Sequence, residues 1–185
     1  IKFLHGMMTN KGYHALLVCP YKSQIELIFR SIDELLSISP KLRGALKHKK
    51  MNPYPEIVFH NESILLGFTS GAKSGTGANT LRGQPADFIA LDEADYLHPD
   101  DMASIAGIMM DKPNVELWAS STPTGARSRF YHYFSNPTYR TFHFPSMVNP
   151  NWNRDMELEM HEQFTTQEYE HEVLANWGEE GSGVF

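Results

Sequence analysis

The chain has 185 residues, of which 41% are hydrophobic, and a net charge of −6. That length supports one compact domain with a real core and is short for two. No apolar run is long enough to cross a bilayer, and no basic, then apolar leader with a small-residue cleavage site opens the chain. The single cysteine, Cys19, lies in an apolar run without a partner, as in a reducing compartment. The charge is uneven. Residues 1–50 hold nine Lys/Arg against three Asp/Glu, residues 51–185 hold seven against nineteen, and no Lys or Arg follows Arg154. A strong grip on nucleic acid needs a basic face. The only cluster of that kind is Lys41, Arg43, Lys47, Lys49 and Lys50, which reads as a solvated helix end before it reads as a DNA contact.

In chain order, Ile1-Lys2-Phe3-Leu4 reads as the interior of an element, so the sequence is expected to be part of a larger intracellular chain. His14 to Cys19 is a buried-strand candidate closed by Pro20. Ser23 with Glu26 then has the spacing of a capping box, and Ile25, Ile28, Phe29, Ile32, Leu35 and Leu36 mark one helical face. Glu56–Phe59 and Ser63–Phe68 form an expected hairpin turning at His60-Asn61-Glu62, and a polar loop runs from Thr69 to Gln84. Phe88–Leu91 and Val115–Ala119 are two further strands. Pro99–Met110 between them is a helix with proline in its first turn. Ser128–Phe134 reads as a helix and Thr141–Phe144 as another strand. Ser146–Arg154 reads as a connector, and Asp155–Phe164 as a weak helix. Thr165 with Glu168 is a second capping box, opening a helix to about Trp177 that Gly178, Gly181 and Gly183 end before Val184-Phe185. Short apolar runs alternating with helical patterns predict an α/β fold with a mostly parallel sheet flanked by helices.

The strongest chemical signal is Phe88-Ile89-Ala90-Leu91-Asp92-Glu93. A buried strand here delivers two carboxylates to its carboxyl end, where ligands sit in open α/β sheets. Two adjacent acids there have separable tasks. Asp92 can hold Mg²⁺, through water, against nucleotide phosphates, and Glu93 can orient and deprotonate an attacking water. The bland alternative is a strand running into an acidic helix cap. Ser120-Ser121-Thr122-Pro123 ends the next strand, and hydroxyls there can sense a γ phosphate; an ordinary polar turn is the alternative. A phosphate-binding loop needs Gly-x-x-x-x-Gly-Lys-Ser/Thr between a strand and a helix. Gly67–Ser74 comes close, with Ala72 in place of the second glycine. The Gly-Thr-Gly-Ala-Asn that follows cannot open a helix, and too few residues remain before Asp92 for a helix and return strand. The loop is therefore expected before Ile1. His161-Glu162 and His171-Glu172 begin like zinc motifs but lack a second ligand four residues on, leaving ordinary surface histidines. Tyr131, His132, Tyr133 and Phe134 are read as packing rather than base stacking.

The order of Leu-Leu-Val-Cys-Pro-Tyr-Lys-Ser-Gln (16–24), Leu-Arg-Gly (81–83), Ile-Ala-Leu-Asp-Glu-Ala (89–94) and Ser-Ser-Thr-Pro (120–123) resembles the large terminase subunit of tailed viruses. The resemblance covers essentially the whole chain. It implies a P-loop NTPase core of the additional-strand, RecA-like type, N-terminally truncated: residues 1–145 are the ATPase core without its Walker A strand and loop, and 146–185 lead to an absent C-terminal nuclease domain. It implies ATP and Mg²⁺ as cofactors, with Asp92 as the Walker B acid, Glu93 as the catalytic base, and Ser120, Ser121 and Thr122 as the coupling motif. Arg82 would reach a neighbouring subunit's ATP. The implied partners are double-stranded DNA, like subunits in a ring, the capsid portal protein and the small terminase subunit, with no membrane, in the host cytoplasm. Asp92-Glu93-Ala94-Asp95 also spells the signature of DEAD-box helicases, but Pro20-Tyr21-Lys22-Ser23-Gln24 departs from that class. A non-catalytic ATPase remnant acting as a binding scaffold is the other alternative.

Overall fold

Six short runs become strands: the inner four are largely buried, while the two edge runs, Leu46–Lys50 and Glu116–Ser120, stay largely exposed and are held by their ladders. The structure, a computed structural model, describes residues 1–71 and 78–178. The strands are β1 (His14–Cys19), β2 (Leu46–Lys50), β3 (Glu56–Phe59), β4 (Ile64–Thr69), β5 (Phe88–Asp92) and β6 (Glu116–Ser120), in the sheet order β2-β3-β4-β1-β5-β6. β4, β1, β5 and β6 are mutually parallel, while β2 and β3 pair antiparallel at one edge. In central β1 the five residues from Ala15 to Cys19 are all buried, the continuous apolar run expected of a parallel strand covered on both faces. The chain groups into two compact units, Ile1–Ser120 and the residues from Ser121 onward.

In the first unit, α1 (Lys2–Thr9) and α2 (Lys22–Ile38) cover one face of the sheet. α2 buries Ile25, Phe29, Ile32 and Leu36, a stripe at helical spacing. With Leu4 and Met7 of α1 these side chains pack on Ala15, Leu17, Cys19, Ile57, Phe59, Leu65 and Phe88. Each Leu, Ile, Phe or Met among them contributes about 1.5–3 kcal/mol on leaving water. Their neighbours Leu16, Val18, Leu66, Phe68, Ile89 and Leu91 alternate onto the opposite face and are buried as well. α5 (Pro99–Asp111), whose buried Met102, Ile105 and Ile108 take no part in the first core, makes the crossover from β5 to β6.

The hairpin, the helix opened by Pro99 and the three parallel strands match the sequence expectation; other features differ. α2 starts at Lys22 with Tyr21 as its uncapped N-cap, so Ser23 and Glu26 form no capping box. Glu26 instead pairs with Lys22 one turn away (3.4 Å). The basic cluster is divided between α3 (Pro40–Ala45), capped by Ser39, and edge strand β2. Several of its cations are engaged: Lys49 with Asp33 (2.7 Å), and Lys50 with Glu56 (3.3 Å) and the Tyr54 ring. Lysines on an edge strand oppose pairing with another chain. Within the expected loop 69–84, a short helix α4 (Ala78–Leu81) forms and buries Leu81 completely; residues 72–77 lie outside the described residues.

In the second unit, Ser128 caps α6 (Arg129–Ser135) by accepting from the Phe130 and Tyr131 amides. Phe130, Tyr131 and Phe134 surround the Trp177 ring at 5.0–5.8 Å, and Tyr133 packs on Tyr139, so this aromatic run is packing. Thr141–Phe144 is not a strand: it joins no ladder among the described residues, and Phe142 and Phe144 stack on each other, 59% and 70% exposed. Strand composition alone does not supply a partner. α7 (Arg154–Gln163) follows as expected, capped by Asn153. The Thr165–Glu168 capping box is formed at α8 (Thr166–Glu168), but a π-helical turn, Tyr169–Val173, ends the helix short of Trp177. That turn buries His171, which therefore is not a surface histidine; its Nδ1 bonds the Asn176 carbonyl (2.8 Å), while His161 stacks on Tyr169. The glycines and Val184-Phe185 at 181–185 lie outside the described residues.

Candidate active site

Because β4, β1, β5 and β6 are parallel, their last residues Thr69, Cys19, Asp92 and Ser120 reach the same edge of the sheet. Asp92 stands in register with Ser120, and the Ser120 hydroxyl lies 3.3 Å from Asp92 Oδ1, to which it donates. The two expected strand ends are thus adjacent, with a carboxylate and a hydroxyl side by side. Cys19 is buried beside them. Burial and then the negative charges of Asp92 and Glu93 push its thiol up to about 12, so it is a neutral packing group rather than a nucleophile.

Glu93 follows in the left-handed region, φ 49° and ψ 52°, as the N-cap of a 3₁₀ turn, Ala94–Tyr96. A side chain in that conformation costs about 1–2 kcal/mol, and such strain gathers at functional positions. The turn allows two partly buried carboxylates to leave the strand end in succession before the chain enters α5. The Asp92 and Ser120 oxygens form a hard donor pair of the kind that takes a hydrated Mg²⁺ beside phosphates. Among the described residues no group of three or more His, Cys, Asp or Glu is disposed to hold a metal by itself. Ser121 and Thr122 open the second unit, where the Ser121 hydroxyl bonds the Thr122 carbonyl (3.0 Å).

Arg82 is exposed, next to Gly83 in the left-handed region (φ 77°), and its Nε donates to Ser104 Oγ at 3.4 Å. It does not pair with Asp87, whose carboxylate accepts from the His14 amide (2.8 Å) and is paired with Lys112. Gly67, the first glycine of the phosphate-loop-like string, is inside β4, where a Cβ would stand 2.8 Å from Ile25 and 2.9 Å from Phe29. It serves helix packing; Ala72, Lys73 and Ser74 lie outside the described residues.

Sequence reasoning missed a buried polar link near this edge. Asp101, 1% exposed, accepts from Ser70 Oγ (2.6 Å) and the Gly71 amide (2.7 Å) through one carboxylate oxygen. Ser70 Oγ in turn accepts from the His98 amide (2.7 Å), and the Ser70 amide bonds the Cys19 carbonyl (2.9 Å). The only signal was an acid in the first turn of α5, which reads as an ordinary dipole partner.

No protein-family model matches the chain. Among curated proteins, tripartite terminase subunit 3 of Varicella-zoster virus (strain Dumas) is 32% identical over 78 residues; the match takes in 39% of this chain and spans 10% of that protein's length. Among solved structures, the large terminase ATPase domain of Thermus phage P74-26 superposes with a TM-score of 0.72 at 19% identity, covering 95% of this chain and 80% of that one. The large terminase of a thermophilic bacteriophage in complex with ADP gives 0.67 at 13% identity, covering 92% and 42%. The HK97 bacteriophage large terminase gives 0.65 at 11% identity, covering 91% and 40%. The chain therefore has the fold of large terminase ATPase domains, as its motif order suggested. No helix among the described residues is long and apolar enough to cross a membrane.

Proposed function

We propose that this chain is the hydrolytic half of a viral large terminase ATPase, which couples ATP hydrolysis to translocation of double-stranded DNA into a capsid. The observation that carries the reading is the pairing of Asp92 with Ser120 at adjacent parallel strand ends, followed at once by the strained Glu93. In this reading Glu93 orients the attacking water and takes its proton. Asp92 and Ser120 would hold hydrated Mg²⁺, which would supply charge neutralisation on the phosphates. Ser120, Ser121 and Thr122 relay the state of the site along the chain, and Arg82 completes the site of a neighbouring subunit in a ring. Residues 146–185 lead from the ATPase core toward a nuclease domain. The portal protein, the small terminase subunit and the host cytoplasm follow from the family reading.

Handedness supports a place for the phosphate-binding loop in this reading. From β1 the chain passes through α2 and the β2–β3 pair to β4 on one side of β1, and α1 lies on the same face as α2. A right-handed crossover through α1 into β1 would then begin on the other side, beyond β5 and β6. The start of α1 faces that way: Lys2 pairs with Glu116 of β6 (2.8 Å) and Phe3 meets the Phe88 ring. Among the described residues β6 bonds only β5, and its Trp118 is 54% exposed. A strand bearing the loop would pair on that edge. The test is phosphate release by the 185-residue chain and by the same chain extended upstream through the loop. The extended chain hydrolyses ATP, and the shorter one stays at the level of its Glu93→Ala variant. Turnover by the shorter chain clearly above that control would overturn the reading and return attention to Gly67–Ser74.

A further inference from the structure

We infer that Asp101 is a positioning residue for Arg82: one turn of α5 holds both Ser70–Gly71, just after β4, and Arg82, just after α4. The inference rests on the reading of Arg82 as a residue that completes an ATP site. Asp101 and Ser104 are three residues apart, so they share a face of α5, and both are buried, at 1% and 5% exposure. Asp101 holds Ser70 and Gly71, at 2.6 and 2.7 Å. Ser104 meets Arg82 after α4: Oγ accepts from Arg82 Nε (3.4 Å) and donates to the Asp100 carbonyl (2.9 Å). Leu81, the residue before Arg82, is fully buried, and α4 packs on α5.

Charged acceptors give shorter, stronger hydrogen bonds than neutral ones, and a carboxylate taken out of water is stable only while such bonds are made. Asp101 therefore fixes Ser70–Gly71 firmly, whereas the Arg82–Ser104 contact is long and exposed on the arginine side. The Asp101 link also includes His98, whose amide donates to Ser70 Oγ, five residues beyond Glu93. The β4 exit and Arg82 are thereby both tied to α5. Releasing one tie lets Arg82 drift, and a misplacement of about 1 Å costs on the order of 10²-fold in rate.

The test uses the full-length motor with ATPase kinetics and amide exchange at Gly71. Asp101→Ala lowers kcat by about 10–10²-fold with little change in KM, and exposes the Gly71 amide to exchange. Asp101→Asn keeps an acceptor oxygen without the charge and recovers part of both losses. The Asp101→Ala, Arg82→Ala double variant is no slower than Arg82→Ala alone. If Asp101→Ala does not fold, Ser70→Ala, which removes one of the two bonds, carries the same comparison with a smaller loss. Wild-type kcat with an unprotected Gly71, or a double variant slowed by the product of the single effects, overturns the assignment. Failure of the Arg82 reading itself shows separately, as a wild-type rate for Arg82→Ala alone.

Discussion

Replacing Gly67 with alanine adds one methyl group where the structure has no room for it. The new Cβ would lie 2.8 Å from Ile25 Cγ2 and 2.9 Å from Phe29 Cε2, against about 3.5–4.0 Å for an ordinary carbon contact. Ile25 and Phe29 are both fully buried in the α2 stripe, so neither can swing into solvent. Either α2 lifts from β4 by roughly 0.7–1 Å to restore that separation, or two rotamers distort together. Overpacking of this kind costs about 1–3 kcal/mol. Relief of glycine's backbone entropy in a strand offsets about 0.5–1 kcal/mol of it. The expected net loss is centred on about 1 kcal/mol, a fall in Tm of about 2–4 °C for a chain of this size. Thermal and urea unfolding of the 185-residue chain measure it. Phe29→Leu, which shortens the opposing side chain, should reduce the cost of Gly67→Ala in the double variant, because residues in contact are not additive. A Gly67→Ala protein as stable as wild type would refute the packing role and reopen Gly67 as part of a phosphate cradle.

Burial alone would push the Asp87 carboxyl up, but the His14 amide and Lys112 outweigh it and hold the group below the usual carboxylate range. A depressed folded-state value contributes stability above the unfolded-state value of about 3.9, lost as pH falls through the folded one. Asp87→Asn should accordingly lose less Tm than wild type between pH 7 and pH values below about 4; equal losses would contradict this. Ser128→Ala should cost about 1 kcal/mol by uncapping α6, read as faster amide exchange at Phe130 and Tyr131; unchanged exchange would count against the cap. In the proposed full-length motor, rings mixing Arg82→Ala with Glu93→Gln subunits should regain ATPase activity well above that of either alone. No recovery in demonstrably mixed rings would confine Arg82 to its own subunit.

The central strands were legible because β1, β4 and β5 are buried on both faces, and continuous runs such as Ala15–Cys19 announce that directly. Edge elements were not. β2 reads Leu-Lys-His-Lys-Lys, a charged string that becomes a strand only because β3 offers it a ladder. Thr141–Phe144 is the converse, a strand-like composition without a ladder partner among the described residues. Local spacing also misled at Ser23, where Lys22 begins the helix one residue earlier and takes Glu26 as its own partner. In the candidate site, Asp92 next to Ser120 could be anticipated, since both end apolar runs in neighbouring parallel strands. The left-handed backbone of Glu93 and the Asp101–Ser70 link could not. The first is a property of the turn, and the second joins residues 31 positions apart that share no motif.

The central claim is that Glu93 is the base of an ATP-hydrolysing site, and exchanging its carboxylate for an amide tests it most directly. Glu93→Gln keeps the shape and the left-handed turn but cannot accept a proton. In the full-length protein, nucleotide affinity should stay within a few-fold of wild type while single-turnover phosphate release slows by about 10²-fold or more. Near-normal phosphate release with intact binding would show that another group takes the proton, and would contradict the assignment of the site.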